Sequence, residues 1–131
     1  MKINQLAQQA DVPAKTIRYY EEIGLIKAPQ RAENGYRIYR TDDVHRLIFI
    51  RRCRDLQISL EDIKTLLAAQ SDNSAPCDKV DNIIKQQLKR VQVAREELCK
   101  LEQSLSALAS SCQRNKVSEC GILHKLHSEE A

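Results

Sequence analysis

Five cysteines, Cys53, Cys77, Cys99, Cys112 and Cys120, stand in a chain of 131 residues. Two of them, Cys112 and Cys120, bracket a polar segment, CQRNKVSEC, and Cys77 closes another, QSDNSAPC. Thiols in a small chain with no secretory leader point to metal or redox chemistry rather than to a disulfide framework. The opening residues, MKINQLAQQA, read as a polar amphipathic segment, and no apolar run reaches the roughly 18–20 residues needed to span a bilayer. The expectation is a cytoplasmic protein. No His/Asp/Ser set, paired carboxylates or phosphate-cradling glycine loop converges, which argues against an enzyme.

The elements that must position these thiols are mainly helical. Aromatics are scarce (four Tyr, one Phe, no Trp) and only three Gly and three Pro interrupt the chain. Residues 2–10 and 14–23 carry apolar residues at helical spacing around the break Asp11-Val12-Pro13, with Gly24 placed to close the second helix. Two short helices about a tight break form a helix-turn-helix. Leu25-Ile26 and the run from Tyr36 to Arg40 read as short strands of a wing, with Asn34-Gly35 as the hairpin turn. Thr41 is the expected cap of the next helix, with Val44, Leu47, Ile48, Ile50 or Arg51, and Leu56 turned inward. Ser59 caps another helix through Ile63, Leu66 and Leu67. From Asp78 to Ser110 there is neither Gly nor Pro, and Ile84, Leu88, Val91, Leu98, Leu101, Leu105 and Leu108 recur in steps of 3, 4 and 7. Such a helix is about 48 Å long. It cannot bury its stripe on so small a front half, so a partner helix is required, most simply from a second copy with Ile84, Leu88, Val91, Leu98, Leu101 and Leu105 as the dimer contacts; the alternative is a helix folded back as a hairpin, although no turn residue marks a midpoint.

Charge divides the chain. Up to Leu56 there are eleven Lys/Arg against seven Asp/Glu, and after it ten against eleven, within a net charge of +3. The front half is therefore the candidate polyanion-binding half. On the second short helix the outer face offers Lys15, Thr16, Arg18 and Tyr19, donors suited to base edges or phosphate in a major groove. In the wing, Arg31, Asn34, Tyr36 and Arg37 make a basic strip with aromatics interleaved, suited to phosphate contacts. Tyr20 falls on the apolar stripe and reads as core.

These motifs, TIRYYEEIGLI, then ENGYRIY, then RLIFIRRCRDLQISLEDIKTLL, resemble the MerR family of winged-helix transcription regulators over essentially the whole chain. The resemblance implies a homodimer on double-stranded promoter DNA, with a long antiparallel dimer helix and an effector loop. It also implies that effector binding untwists and bends an over-long promoter spacer, bringing the promoter elements into line for RNA polymerase. Thr16, Arg18 and Tyr19 would lie on the recognition helix, and Tyr36 and Arg37 would touch the DNA backbone.

In an antiparallel dimer the start of one long helix lies beside the end of the other. The implied site then joins Cys77 of one protomer to Cys112 and Cys120 of its partner. Three thiolates suit a divalent soft ion, Cd2+ or Pb2+ first, with Zn2+ and Hg2+ as further candidates. Affinity is pH-dependent and weakens on acidification, because three thiol protons must leave. The pattern looks most like the cadmium/lead-responsive branch. The copper(I)-responsive branch has serine where this chain has Cys77, and zinc-responsive members double their loop cysteines. Some cadmium/lead members carry a further cysteine where this chain has Val12. Cys53 reads as core, Cys99 as a packing or surface residue, His45, His124 and His127 as solvated, and Asp78 as a cap for the long helix. The competing readings are a Cys112–Cys120 redox sensor on the same scaffold, a Cu(I) or Zn(II) sensor, and a metal-buffering coiled coil without specific DNA binding. The expected organisation is a winged helix-turn-helix domain with its two-helix unit over 1–70 and a loop over 71–77. A dimerisation helix follows over 78–110, then a metal-binding loop with a short terminal helix over 111–131.

Overall fold

Helix-favouring spacing over short segments, punctuated by residues able to turn the chain left-handed, sets the architecture of the computed structural model, which describes residues 1–111 and 120–127. Among these residues the order is α1 (Ile3–Ala10), α2 (Ala14–Glu22), β1 (Gln30–Arg31), β2 (Arg37–Ile38), α3 (Thr41–Asp55), α4 (Leu60–Gln70), α5 (Asp78–Ser111) and α6 (Gly121–His127). The chain divides into two units, Met1–Gln87 and Leu88–Ala131. None of the described helices is long and apolar enough to cross a membrane.

Three helices of the first unit end alike. After α2, Leu25 N–H donates to the Tyr20 carbonyl (2.9 Å) and Gly24 N–H to Glu21 (3.1 Å), with Gly24 at φ +78. This is the Schellman closure, which satisfies carbonyls the helix leaves open. After α3, Ile58 donates to Cys53 and Gln57 to Arg54, with Gln57 at φ +60. After α1, Val12 donates to Ala7, with Asp11 at φ +55. Each closure throws the next residue inward: Val12, Leu25 and Ile58 are all buried. Leu25 and Ile26 are therefore core at a helix exit, not the first strand of the wing.

That strand is Gln30–Arg31, paired antiparallel with Arg37–Ile38 in the register Gln30↔Ile38 and Arg31↔Arg37. The turn is one residue longer than a two-residue Asn-Gly hairpin. Gly35 N–H donates to Ala32 (2.9 Å), Ala32 N–H to Tyr36 (2.8 Å), and Gly35 alone of the turn has positive φ, +84. A type I turn followed by a left-handed glycine gives this three-residue loop.

Both helix starts of the two-helix unit carry caps. Ser59 Oγ accepts from Asp62 N–H (3.1 Å), as expected. The α3 start differs: the cap is Arg40, one residue before Thr41, and Asp43 Oδ2 reaches back to accept from Arg40 N–H (2.8 Å). Leu6, Ile17, Leu47, Ile50, Ile58 and Ile63 are fully buried and form the centre of the core, where each contributes about 1.5–3 kcal/mol. Cys53 lies in this core and burial pushes its thiol pKa up. Leu56, expected inside, is exposed because α3 has already ended and Gln57 turns the chain away. Ile83 joins the core from the first turns of α5.

Candidate nucleic-acid interface and thiol positions

The basic face is built from α2 and the wing. Lys15, Arg18 and Tyr19 are exposed on α2 and Thr16 is half-buried, while Ile17 and Tyr20 on the opposite face enter the core. A cleft of about 570 Å³ runs between the start of α1, α2 and the wing, lined by Lys2, Ile3, Asn4, Arg18, Arg31, Gly35, Tyr36 and Arg37. Four of the expected contact residues, Arg18, Arg31, Tyr36 and Arg37, share this cleft; Lys15, Thr16, Tyr19 and Asn34 are not among its lining. Four cations on one concave wall attract a polyanion more strongly than the net charge suggests, because the cleft focuses their field.

Two wing residues also hold the turn. Asn34 Oδ1 accepts from Tyr36 N–H (3.2 Å), and Arg31 Nη1 donates to the Gly35 carbonyl (3.3 Å). Tyr36 is exposed, with the Lys2 ammonium 5.4 Å from its ring centroid. Arg37 Nη1 lies 2.9 Å from Glu21 Oε2, and Glu21 Oε1 accepts from the Tyr39 hydroxyl at 2.5 Å. Burial, then the hydrogen bond and charge of Glu21, push the Tyr39 hydroxyl up to about 12. Sequence reasoning passed over Lys2, Asn4, Glu21 and Tyr39. Nothing local marked Glu21, which stands beside the exposed Glu22 at the end of α2.

Arg51 Nη1 donates to the Ala10 carbonyl (3.0 Å) and lies 3.5 Å from Asp11 Oδ2. A guanidinium over the C-terminus of α1 meets both the open carbonyls and the negative end of the helix dipole. Arg54 likewise donates to the Ile58 carbonyl (2.9 Å). These contacts fix α1 and the α3–α4 corner behind the basic face.

The thiols occupy different settings. Cys77 is exposed, and its carbonyl accepts from Asp81 N–H (2.9 Å), so Cys77 rather than Asp78 is the first cap of α5. Cys99 is exposed on α5, and Cys120 is half-buried just before α6. Cys112 lies outside the described residues. A Cβ on Gly121 would sit 2.5 Å from the Ser111 carbonyl oxygen, so only glycine allows this approach. The neighbours of Cys112 and Cys120 in the chain are thus in contact. His124 and His127 are exposed on α6. Among the described residues no three His, Cys, Asp or Glu side chains gather for a metal. On α5, the stripe Ile84, Leu88, Val91, Leu98, Leu101 and Leu105 is exposed in the single chain, from 45% at Ile84 to 65% at Leu98.

A helix-turn-helix with a basic wing, followed by a long helix with an open apolar stripe, has known counterparts. The family model described as MerR HTH family regulatory protein matches residues 1–70, and a second, described as MerR, DNA binding, matches residues 44–108. The chain belongs to the MerR family. The MerR-type relatives span nearly all of it. The HTH-type transcriptional regulator HmrR of Rhizobium leguminosarum bv. viciae is 39% identical over 126 residues, covering 96% of this chain and 97% of the relative. The mercuric resistance operon regulatory protein of Bacillus cereus is 36% identical over 126 residues, covering 95% and 96%. The crystal structure of a transcription regulator from Ralstonia metallidurans in complex with lead(II) matches with a TM-score of 0.86 at 36% identity, covering 96% and 98%. As a MerR-family member the chain is a DNA-binding transcriptional regulator and not an enzyme. Its mainly helical fold with a small wing and long α5 is the family's.

Proposed function

We propose that this regulator works as a homodimer on promoter DNA and is switched by a divalent soft metal, Cd2+ or Pb2+, held by Cys77 of one protomer and Cys112 and Cys120 of the other. One observation carries the reading. Exposed Cys77 caps the start of α5, whereas Ser111, at its end, touches Gly121 beside Cys120. The helix between them has 34 residues, about 51 Å. Thiols at its two ends meet only through a second chain running the opposite way. The open apolar stripe of α5 supplies the surface for that pairing.

Three thiolates on one ion favour soft, divalent cations, and a shared site pins both subunits into one arrangement. The mercuric-resistance relative and the lead(II)-bound structure support a soft metal. Arg18 and Lys15 on α2, with Thr16 and Tyr19, then read the major groove, while Arg31, Tyr36 and Arg37 fix the wing on phosphate. Metal binding bends and untwists an over-long spacer for RNA polymerase. Such deformation costs on the order of 1–6 kcal/mol, which the difference in metal affinity between two dimer states must supply. Thiols stay reduced in the cytoplasm, the compartment this chemistry requires.

The test is transcription in vitro from a promoter with an over-long spacer and an operator selected from random DNA. Cd2+, Pb2+, Zn2+, Hg2+ and Cu+ are compared in excess reductant. Cd2+ and Pb2+ are expected to induce, and Cys77→Ser to abolish induction while leaving operator binding intact. Induction by oxidant alone, or undiminished divalent induction in Cys77→Ser, refutes the reading.

A further inference from the structure

We propose that Glu21 is a positioning residue for DNA binding: its carboxylate fixes Arg37 on the wall of the basic cleft and ties the wing to α2. The inference rests on the α2–wing face being the DNA surface. Glu21 is an acid set among cations, and its side chain is only 7% exposed. Burying a carboxylate is costly unless it is paired. Both oxygens are engaged by residues of the wing segment: Oε2 by Arg37 on β2, Oε1 by Tyr39 just beyond it.

The wing needs such a tie. Its strands are two residues each, and a two-stranded ribbon is marginal by itself. Tyr39 is buried, so its hydroxyl reaches Glu21 from a fixed point in the core. Arg37 remains one-third exposed and shares the cleft wall with Arg18, which lies one turn before Glu21 on α2. Glu21 therefore sets the separation of two cationic groups, one on the helix and one on the wing. An arginine already held in place loses less side-chain freedom when it meets a phosphate.

Simple electrostatics predicts the opposite effect of removing Glu21. A carboxylate beside a polyanion repels it, so a residue acting only through its charge would, when neutralised, leave operator binding tighter. A positioning residue leaves it weaker and costs a phosphate contact.

The experiment measures operator binding by the full-length dimer, using fluorescence anisotropy across a series of KCl concentrations. Glu21→Gln is expected to bind about tenfold more weakly, the lower end for one charge-assisted contact. The slope of log K against log salt should fall in magnitude by about 0.9, the value for one phosphate. Tyr39→Phe keeps the ion pair and should leave the slope unchanged. Glu21→Gln combined with Arg37→Gln should bind no more weakly than Arg37→Gln alone, since coupled residues are non-additive. Thermal melts report the folded fraction of each variant. Should Glu21→Gln not fold, Glu21→Asp, with the same charge on a shorter arm, is expected to show the same loss of slope. Equal or tighter binding by Glu21→Gln, an unchanged slope, or additive losses would overturn the proposal. Arg18→Ala separates the two levels. Undiminished operator binding by that variant refutes the DNA face itself, whereas a loss there with none in Glu21→Gln refutes only the role of Glu21.

Discussion

Leu98 offers a quantitative test of the dimer. This residue is 65% exposed in the single chain and stands third in the series Ile84, Val91, Leu98 and Leu105, spaced seven residues apart. Burying a whole leucine side chain contributes about 1.5–3 kcal/mol, so covering the exposed part contributes about 1–2 kcal/mol. A two-fold interface uses each residue twice, which makes Leu98→Ala worth about 2–4 kcal/mol of dimer stability. At a factor of ten per 1.4 kcal/mol, the dimer dissociation constant should rise by about 30- to 700-fold. Sedimentation equilibrium over a wide concentration range measures it. Cys99→Ser, at the neighbouring exposed position off that spacing, serves as the control and should change little. A rise of less than threefold for Leu98→Ala, or an equal rise for Cys99→Ser, would refute the assignment of this stripe to the interface.

Three further outcomes follow from the first unit. Arg51→Ala removes the donor over the α1 terminus. A charged hydrogen bond contributes about 1.5–3 kcal/mol, and with the side chain a third exposed about 1 kcal/mol remains after solvent screening. Urea unfolding should show that loss, and an unchanged midpoint would remove the cap from the account. Gln57→Gly should stabilise by about 0.5–1 kcal/mol, because Gln57 is left-handed at φ +60 and glycine is not penalised there; a destabilised variant would contradict it. Tyr39 has its folded-state pKa raised from 10.0 to about 12. Its contribution is therefore fully present below pH 10 and is lost as the pH rises through about 12. Tyr39→Phe should be less stable at neutral pH and show a flatter decline across that window in pH-dependent unfolding. An alkaline decline identical to that of the parent would show that Tyr39 does not carry it.

What was legible in the sequence is what repeats locally. The spacing of Ile17 and Tyr20 and of Ile63 and Leu66 marked helices and their inward faces, and that of the α5 leucines marked a helix, because helical period is a property of neighbours three and four apart. Ser59 and Gly24 announced their caps for the same reason. Leu25-Ile26 misled, since a short apolar pair is equally strand or helix exit, and the Schellman closure at Gly24 decided for the exit. Asn34-Gly35 marked the turn, but its length depended on hydrogen bonds between Ala32, Gly35 and Tyr36. Leu56 kept the helical spacing although the helix had stopped. The contacts that shape the first unit around its basic face were not legible: Arg51 meets Ala10 forty-one residues away, and Tyr39 meets Glu21 eighteen residues away. Nothing local distinguishes such an arginine or glutamate from a solvated one. The residues of the basic cleft were half visible: Arg18, Arg31, Tyr36 and Arg37 by type, Lys2 and Asn4 only once α1 was placed against the wing. The thiol triad drew on resemblance, because Cys77 precedes the long helix α5 whereas Cys120 lies beyond its end, just before α6.

The central claim is that each metal is shared between subunits, and subunit mixing tests it directly. A heterodimer is prepared from one chain carrying Cys77→Ser and one carrying Cys112→Ser and Cys120→Ser. The first chain keeps the loop thiols and the second keeps Cys77, so one intact site forms across the pair. Native mass spectrometry with Cd2+ is expected to show one tightly bound ion per heterodimer and none on either parent homodimer. A heterodimer as empty as its parents would contradict a site built from both chains.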